Sequence, residues 1–140
     1  MSYIYIIMVS KRWIKSKSVV YNINYHLIWC VKYRKKLLVD NVEKRLKEIL
    51  NIKAKDIDVV IKKMETDNDH IHMFISASPT SGIHWIVQQF KGVTSRLLRK
   101  EFSNIKSKVP SLWTRSYYVE TIGYISEDTI KKYIENQKNY

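Results

Sequence analysis

The sequence predicts an α+β fold: a ferredoxin-like antiparallel sheet of order β-α-β-β-α-β with its helices on one face, plus a C-terminal helix. Two kinds of periodicity support this prediction. Apolar residues alternate with polar ones in the expected strands and recur at helical spacing in the expected helices. In chain order the predicted elements are a strand at 20–32, a helix at 40–51, strands at 57–64 and 70–76, a helix at 83–102, a strand at 117–121 and a helix from Ser126.

Local signals justify each element in turn. In the first strand, Leu27 and Trp29 lie on one side and His26 on the other. Asp40 can cap the first helix, and the polar turn at 65–69 joins the next two strands into a hairpin. A proline and a glycine interrupt the pattern before the second helix, and another glycine precedes the last one.

Composition restricts the class of protein. The 140-residue chain has 25 Lys and Arg against 13 Asp and Glu, and its net charge of +12 indicates a polyanionic partner. The single Cys30 excludes an internal disulfide and a zinc finger, and three separated glycines exclude phosphate-loop and dinucleotide-binding motifs. The apolar segment at 3–9 is too short to span a membrane, so we expect a cytoplasmic protein without membrane contact. We expect one domain at 18–140 after an N-terminal arm at 1–17.

His70 and His72 form the first candidate site. Because side chains alternate along a strand, both imidazoles lie on the face opposite the core, which the helices are expected to leave open. Asn24 and His26 of the adjacent central strand are expected on the same face. Two imidazoles at this spacing can bind one divalent metal, although an exposed histidine pair without metal would give the same motif. A polar strip in the centre of a sheet favours a site.

Tyr133 and Gln137 form the second candidate site, on one face of the last helix. The amide oxygen of Gln137 suits a hard divalent ion, whereas Tyr133 is also explained by packing at the edge of a core. Two imidazoles, an amide and a phenol together predict a metal-assisted tyrosine nucleophile for phosphoryl transfer. A phosphotyrosine bond keeps the energy of the broken phosphodiester, so rejoining a strand needs no ATP.

Basic residues are concentrated in two stretches that contain few acids. One stretch lies between residues 86 and 115, where Glu101 is the single acid, and the other follows the first strand. Solvated faces normally mix both signs, so we favour a surface that binds nucleic-acid phosphates. The residues predicted to contact the nucleic acid are Arg34, Lys35, Lys91, Arg96, Arg99 and Lys100.

The ordered set of motifs resembles the TnpA-type single-tyrosine HUH transposases, which move insertion sequences as single-stranded DNA. The resemblance covers nearly all of the chain after residue 18. The segments that carry it are 25–34, 69–72, 112–113, 118–123 and 133–137.

The resemblance implies a role for each candidate residue. It implies that 18–140 is a HUH transposase domain, that His70, His72 and Gln137 hold Mg²⁺ or Mn²⁺, and that Tyr133 becomes linked to a DNA 5′ end. It also implies a single-stranded DNA substrate with hairpins at the element ends. The chain would act as a homodimer in which the tyrosine helix of one subunit serves the histidine pair of the other.

Other functions stay open at this point. A related HUH nickase without its own mobile element would use the same residues on a different DNA. A non-catalytic single-stranded nucleic-acid-binding module would instead need exposed aromatic residues in the central strands. A carboxylate-based two-metal nuclease is less well supported, because Asp67 and Asp69 are explained as turn formers.

Overall fold

The computed structural model describes residues 14–15, 20–122 and 128 of the chain. Its strands are β1 (Ile14–Lys15), β2 (Val20–Tyr21), β3 (Asn24–Cys30), β4 (Val59–Asp67), β5 (His70–Ala77) and β6 (Tyr118–Ile122). The last four form an antiparallel sheet in the order β4-β5-β3-β6, with β3 and β5 in the centre. This order is the predicted ferredoxin-like arrangement.

The helices pack on one face of this sheet. They are α1 (Asp40–Asp56), α2 (Ile83–Glu101) and the short α3 (Ser103–Lys108). Leu27 and Met73 from the central strands share a core with Leu46 of α1 and Phe90 of α2, and all four side chains are fully buried. Burying apolar side chains between helix and sheet supplies the main stabilisation of such a layer. None of the described helices is long and apolar enough to cross a membrane.

Several element boundaries differ from the sequence prediction. Helix α1 continues to Asp56 rather than ending near residue 51, because buried Ala54 extends its apolar stripe. The expected cap, Asp40, is instead the first helical residue, and no side chain caps the helix. The six-residue helix α3 was not predicted, and the buried Ile105 holds it against the core.

The predicted first strand is divided into two parts. Val20–Tyr21 pairs with Ile14–Lys15 in a small separate hairpin, and the sheet strand begins at Asn24. Two residues of the expected N-terminal arm therefore pair with the chain beyond residue 17. The boundary between arm and domain stays a prediction. Of the predicted last helix only Asp128 is described, and it is helical; Tyr133 and Gln137 lie outside the described residues.

Strand β6 follows the central strand β3 for only part of its length. The pairing runs from Asn24 opposite Ile122 to Ile28 opposite Tyr118. Nearer the end of β3, the Thr114 amide donates to the Cys30 carbonyl at 3.0 Å. Residues 114–117, here called the β6-entry loop, connect these two points. A side chain from the helical side of the sheet binds this loop.

Lys91 of α2 binds the backbone of the β6-entry loop. Its Nζ atom donates to the carbonyl oxygens of Thr114, Arg115 and Ser116 at 2.6, 3.3 and 3.2 Å. Burial lowers the pKa of Lys91, and three carbonyl acceptors compensate for the water that the ammonium group loses. Lys91 thus ties three consecutive carbonyls of the β6-entry loop to α2.

Candidate metal and nucleophile site

The two candidate metal ligands lie in the centre of the sheet, on the face opposite the helices. The register places His72 opposite Ile28 and His70 opposite Cys30. Between them in sequence, Ile71 is fully buried in the core, as alternation along the strand requires. The side of the sheet predicted for the histidines is therefore confirmed.

The histidine face is buried, which the sequence did not predict. His26, His70 and His72 are only 0%, 6% and 1% exposed. Their rings cover one another: the His26 centroid lies 4.7 Å from that of Phe74 and 5.9 Å from that of His72, and the His70 and His72 centroids are 4.7 Å apart. The expectation of an open polar strip was wrong, because all three imidazoles are buried. His70 and His72 are close enough for both rings to bind one ion.

His26 sits in this row as a neutral ring. Burial, with a smaller contribution from the neighbouring His72, lowers the pKa of His26 to about 4. At neutral pH the imidazole is therefore uncharged, and it packs in parallel against Phe74. We interpret His26 as part of the wall that shapes the histidine pair.

Asp69 orients the first histidine of the pair. Its Oδ1 atom accepts a hydrogen bond from His70 Nδ1 at 2.6 Å, and its Oδ2 atom lies 3.1 Å from both Nε and Nη2 of Arg34. Partial burial alone would raise the pKa of Asp69, but the hydrogen bonds from His70 and Arg34 outweigh it and the pKa is lowered. A carboxylate bound to Nδ1–H leaves the lone pair on Nε2 of the same ring.

The Nε2 atom of His70 is available for a ligand. It is buried and has no hydrogen-bond partner among the described residues. Buried polar atoms are normally paired, so this atom needs an explanation. A histidine whose second nitrogen donates to a carboxylate is the usual arrangement of a metal ligand. The donor set therefore fits a divalent ion at this position.

The backbone at Arg34 is strained. Tyr33 and Arg34 have φ values of 59° and 53°, in the left-handed region that non-glycine residues usually avoid, at a cost of about 1 to 3 kcal/mol each. The turn is held by a hydrogen bond from the Arg34 amide to the Val31 carbonyl at 2.9 Å and by the ion pair with Asp69. Strain of this kind is concentrated at functional sites.

The described part of the chain supplies only two of the predicted ligands. Within it there is no group of three or more His, Cys, Asp or Glu side chains that could hold a metal. Gln137, the third predicted ligand, and the predicted nucleophile Tyr133 lie outside the described residues. Their roles stay predictions.

Comparison with known proteins decides the family. The family model described as "Transposase IS200 like" matches residues 19–137, which is most of the chain. This chain belongs to the IS200-like transposase family. The resemblance seen in the sequence is thereby confirmed, and the family carries DNA strand transferase activity.

Named relatives agree with this assignment. The chain is 38% identical over 125 residues to the ISDra2 transposase TnpA of Deinococcus radiodurans, covering 88% of this chain and 89% of the relative. It is 29% identical over 123 residues to the transposase of insertion sequence IS200 from Salmonella typhimurium, covering 84% and 81%.

Solved structures share the fold. A crystal structure of a Deinococcus radiodurans protein described as a transposase aligns with a TM-score of 0.73 at 35% identity, covering 89% of this chain and 97% of that one. A REP-associated tyrosine transposase, solved bound to a REP hairpin, aligns with a TM-score of 0.57 at 13% identity, covering 89% and 74%. The second likeness is one of fold alone.

The six basic residues predicted to contact DNA differ in their exposure and in their contacts with the rest of the protein. Lys35, Arg96 and Lys100 are exposed on the surface. Lys91 holds the β6-entry loop, and Arg99 donates from Nη1 to the Val109 carbonyl at 2.6 Å. These contacts give both side chains structural roles that the sequence did not indicate. Arg34 is half exposed and paired with Asp69. Contact with DNA stays a prediction for all six predicted residues.

Sequence reasoning missed one residue of the site. It explained Asp69 as a turn former, and Asp69 does belong to the two-residue turn between β4 and β5. The missed signal is its position directly before His70, where a short carboxylate side chain can reach the ring of its neighbour. Its contact with Arg34, 35 positions earlier in the chain, has no comparable signal in the sequence.

Proposed function

We propose that this transposase cleaves and rejoins single-stranded DNA through a 5′-phosphotyrosine intermediate, with a divalent metal at the histidine pair. The observation that carries the proposal is the buried Nε2 atom of His70, which lacks a partner among the described residues on a ring that Asp69 orients. The resemblance of residues 133–137 to the tyrosine helix of HUH transposases supports the rest.

His70, His72 and Gln137 would hold Mg²⁺ or Mn²⁺. When bound, the metal polarises the scissile phosphate and neutralises charge that develops on its oxygens. The protein's part is to present the two imidazoles in the correct tautomer, which the Asp69 carboxylate does for His70. The buried face around the pair excludes water, and this strengthens every electrostatic interaction within it.

Tyr133 would be the nucleophile. Its phenolic oxygen loses a proton and forms a bond to phosphorus, while the bond from phosphorus to the 3′ oxygen breaks and that oxygen leaves as a 3′ hydroxyl. The 5′ end of the downstream strand is then joined to the protein. Attack by another 3′ hydroxyl on the phosphotyrosine reverses the chemistry and joins the new strand without ATP.

The substrate and the assembly follow the same resemblance. We expect hairpins at the ends of the element to be bound, and two copies of the chain to act together with the tyrosine helix in trans. The exposed cations Lys35, Arg96 and Lys100 supply positive charge for phosphates. No sequence-specific contact is needed for this part of the binding.

Single-strand cleavage is the direct test of the proposed function. Oligonucleotides from the flanks of the transposase's own gene, incubated with Mn²⁺, are expected to be cut at one position as single strands. The complementary duplexes are expected to stay intact, and a chelator should stop the reaction. Cutting of the duplex as fast as the single strand, or cutting that persists in chelator, would contradict the proposal.

Replacing Asp69 with Asn should weaken metal binding. The amide keeps the size of the side chain but removes the negative charge that orients the His70 ring and raises its basicity as a ligand. Changes of this type typically cost about 10- to 100-fold in metal affinity. Isothermal titration calorimetry with Mn²⁺ measures this change in affinity.

Asp56→Asn is the matched control. Asp56 is the exposed last residue of α1, on the helical side of the sheet, and its carboxylate pairs with Lys53 at 3.1 Å. We expect wild-type Mn²⁺ affinity for this variant. Equal affinities for Asp69→Asn and the wild type would show that Asp69 does not act through the metal site.

A further inference from the structure

A pocket lies beside the histidine pair, between the end of β3 and the β6-entry loop. Its volume is about 380 Å³, within the usual range for small-molecule and cofactor sites. The lining residues include His70, the exposed Arg34, the hydroxyl-bearing Thr114 and Ser116, and the aromatic residues Tyr117 and Tyr118.

The walls of the pocket are fixed by contacts outside it. Lys91 holds the carbonyls of 114–116, and the Tyr117 hydroxyl is hydrogen-bonded to His84 Nδ1 of α2 at 2.9 Å. Tyr118 is paired in register with Ile28 and its hydroxyl donates to Glu120 at 3.1 Å. The pocket is therefore largely preformed, which lowers the entropy cost of filling it.

The chemistry of the lining matches a nucleobase. Aromatic faces stack on bases of any sequence, and each such contact is sequence-tolerant. The hydroxyls of Thr114 and Ser116 can pair with the polar edge of a base, and the Arg34 guanidinium, 51% exposed, lies where a backbone phosphate can approach it. His70 lines the same pocket, so its occupant is next to the proposed scissile phosphate.

We propose that this pocket receives the base of a nucleotide flanking the scissile phosphate, turned out of the DNA strand. This inference rests on the proposed function and deepens it by assigning a protein subsite to the strand at the cleavage position. Turning a base outward costs least when it is unpaired. The pocket therefore gives a physical reason for a single-stranded substrate, in addition to the charge of the surface.

An abasic scan tests the proposal. The probe is a single-stranded oligonucleotide from the flank of the transposase's own gene, with each nucleotide near the cut replaced in turn by an abasic site. Binding is measured by fluorescence anisotropy in chelator, so the result does not depend on cleavage. For the wild type, one abasic position next to the cut should weaken binding by about 5- to 100-fold, the loss expected for one stacked base.

Ser116→Phe fills the pocket from its exposed rim and supplies the decisive comparison. This variant should bind the intact oligonucleotide as weakly as the wild type binds the critical abasic one, and it should no longer distinguish the two. Ser107→Phe adds the same bulk on α3, away from the pocket lining, and should behave as the wild type. A Ser116→Phe variant that binds normally and keeps the full abasic penalty would overturn the proposal.

Tyr117→Leu keeps the test valid if the added ring prevents folding of Ser116→Phe. It removes one of the aromatic rings of the lining and keeps apolar bulk, so the loss of affinity caused by the critical abasic site should be smaller than in the wild type. A wild type that cuts its oligonucleotide but shows no sensitive abasic position would refute the pocket and leave the proposed function standing. A wild type that loses affinity at one abasic position but cuts no strand in Mn²⁺ would refute the cleavage mechanism and, with it, the assignment of the bound base to a scissile phosphate.

Discussion

His72→Ala is expected to abolish metal-dependent strand cleavage. The substitution removes one imidazole of the proposed two-histidine site, and the remaining His70 would hold the ion less tightly. A metal that neutralises transition-state charge is worth several kcal/mol, and a loss of about 4 kcal/mol corresponds to about a 10³-fold lower rate. His70→Ala should have an effect of the same size.

Metal titration separates this effect from damage to the fold. Mn²⁺ binding, measured by isothermal titration, should be lost in His72→Ala while single-stranded DNA is still bound. His84→Gln is the matched control, because His84 is exposed on α2 and its ring contacts Tyr117 rather than the histidine pair. If His72→Ala retained wild-type Mn²⁺ affinity, the metal would have to lie elsewhere.

The sheet could be predicted because the alternation that marks each strand lies within a short segment of the sequence. Alternation along 70–76 is enough to place Ile71 in the core and His70 and His72 on the other face. The order of strands then follows from the element order, since a ferredoxin-like sheet brings the first and third of its strands together. Neither step needs knowledge of contacts between distant side chains.

The burial of the histidines could not be predicted in the same way. It depends in part on the register, which sets His26 opposite Phe74 and brings the rings of His26, His72 and Phe74 together. A shift of one residue would send every side chain of the strand to the opposite face. Alternation alone therefore predicts the face but not what covers it.

Long-range polar contacts account for the other differences between the predicted and the observed surroundings of the site. The pairs Arg34–Asp69 and Lys91–Thr114 join residues 35 and 23 positions apart, and each turns a residue expected on a charged surface into part of the site's framework. The left-handed backbone at Tyr33 and Arg34 also lacks a sequence signal, because neither residue is a glycine or asparagine. The pocket depends on these same contacts.

Tyr133→Phe is expected to eliminate the covalent protein–DNA adduct completely. The substitution removes only the oxygen that would attack phosphorus and keeps the ring, so DNA binding and Mn²⁺ affinity should not change. Tyr140→Phe, seven residues further along the chain, makes the same chemical change at the last position of the sequence and should form the adduct as the wild type does.

The most direct test of the mechanism is a denaturing gel of the wild type and these two variants with end-labelled single-stranded DNA and Mn²⁺. A 3′ label should migrate with the protein, because the nucleophile stays joined to the 5′ end of the downstream strand. A 5′ label should appear only in a shorter free strand. Transfer of the 5′ label to the protein, or an adduct that persists in Tyr133→Phe, would contradict the account.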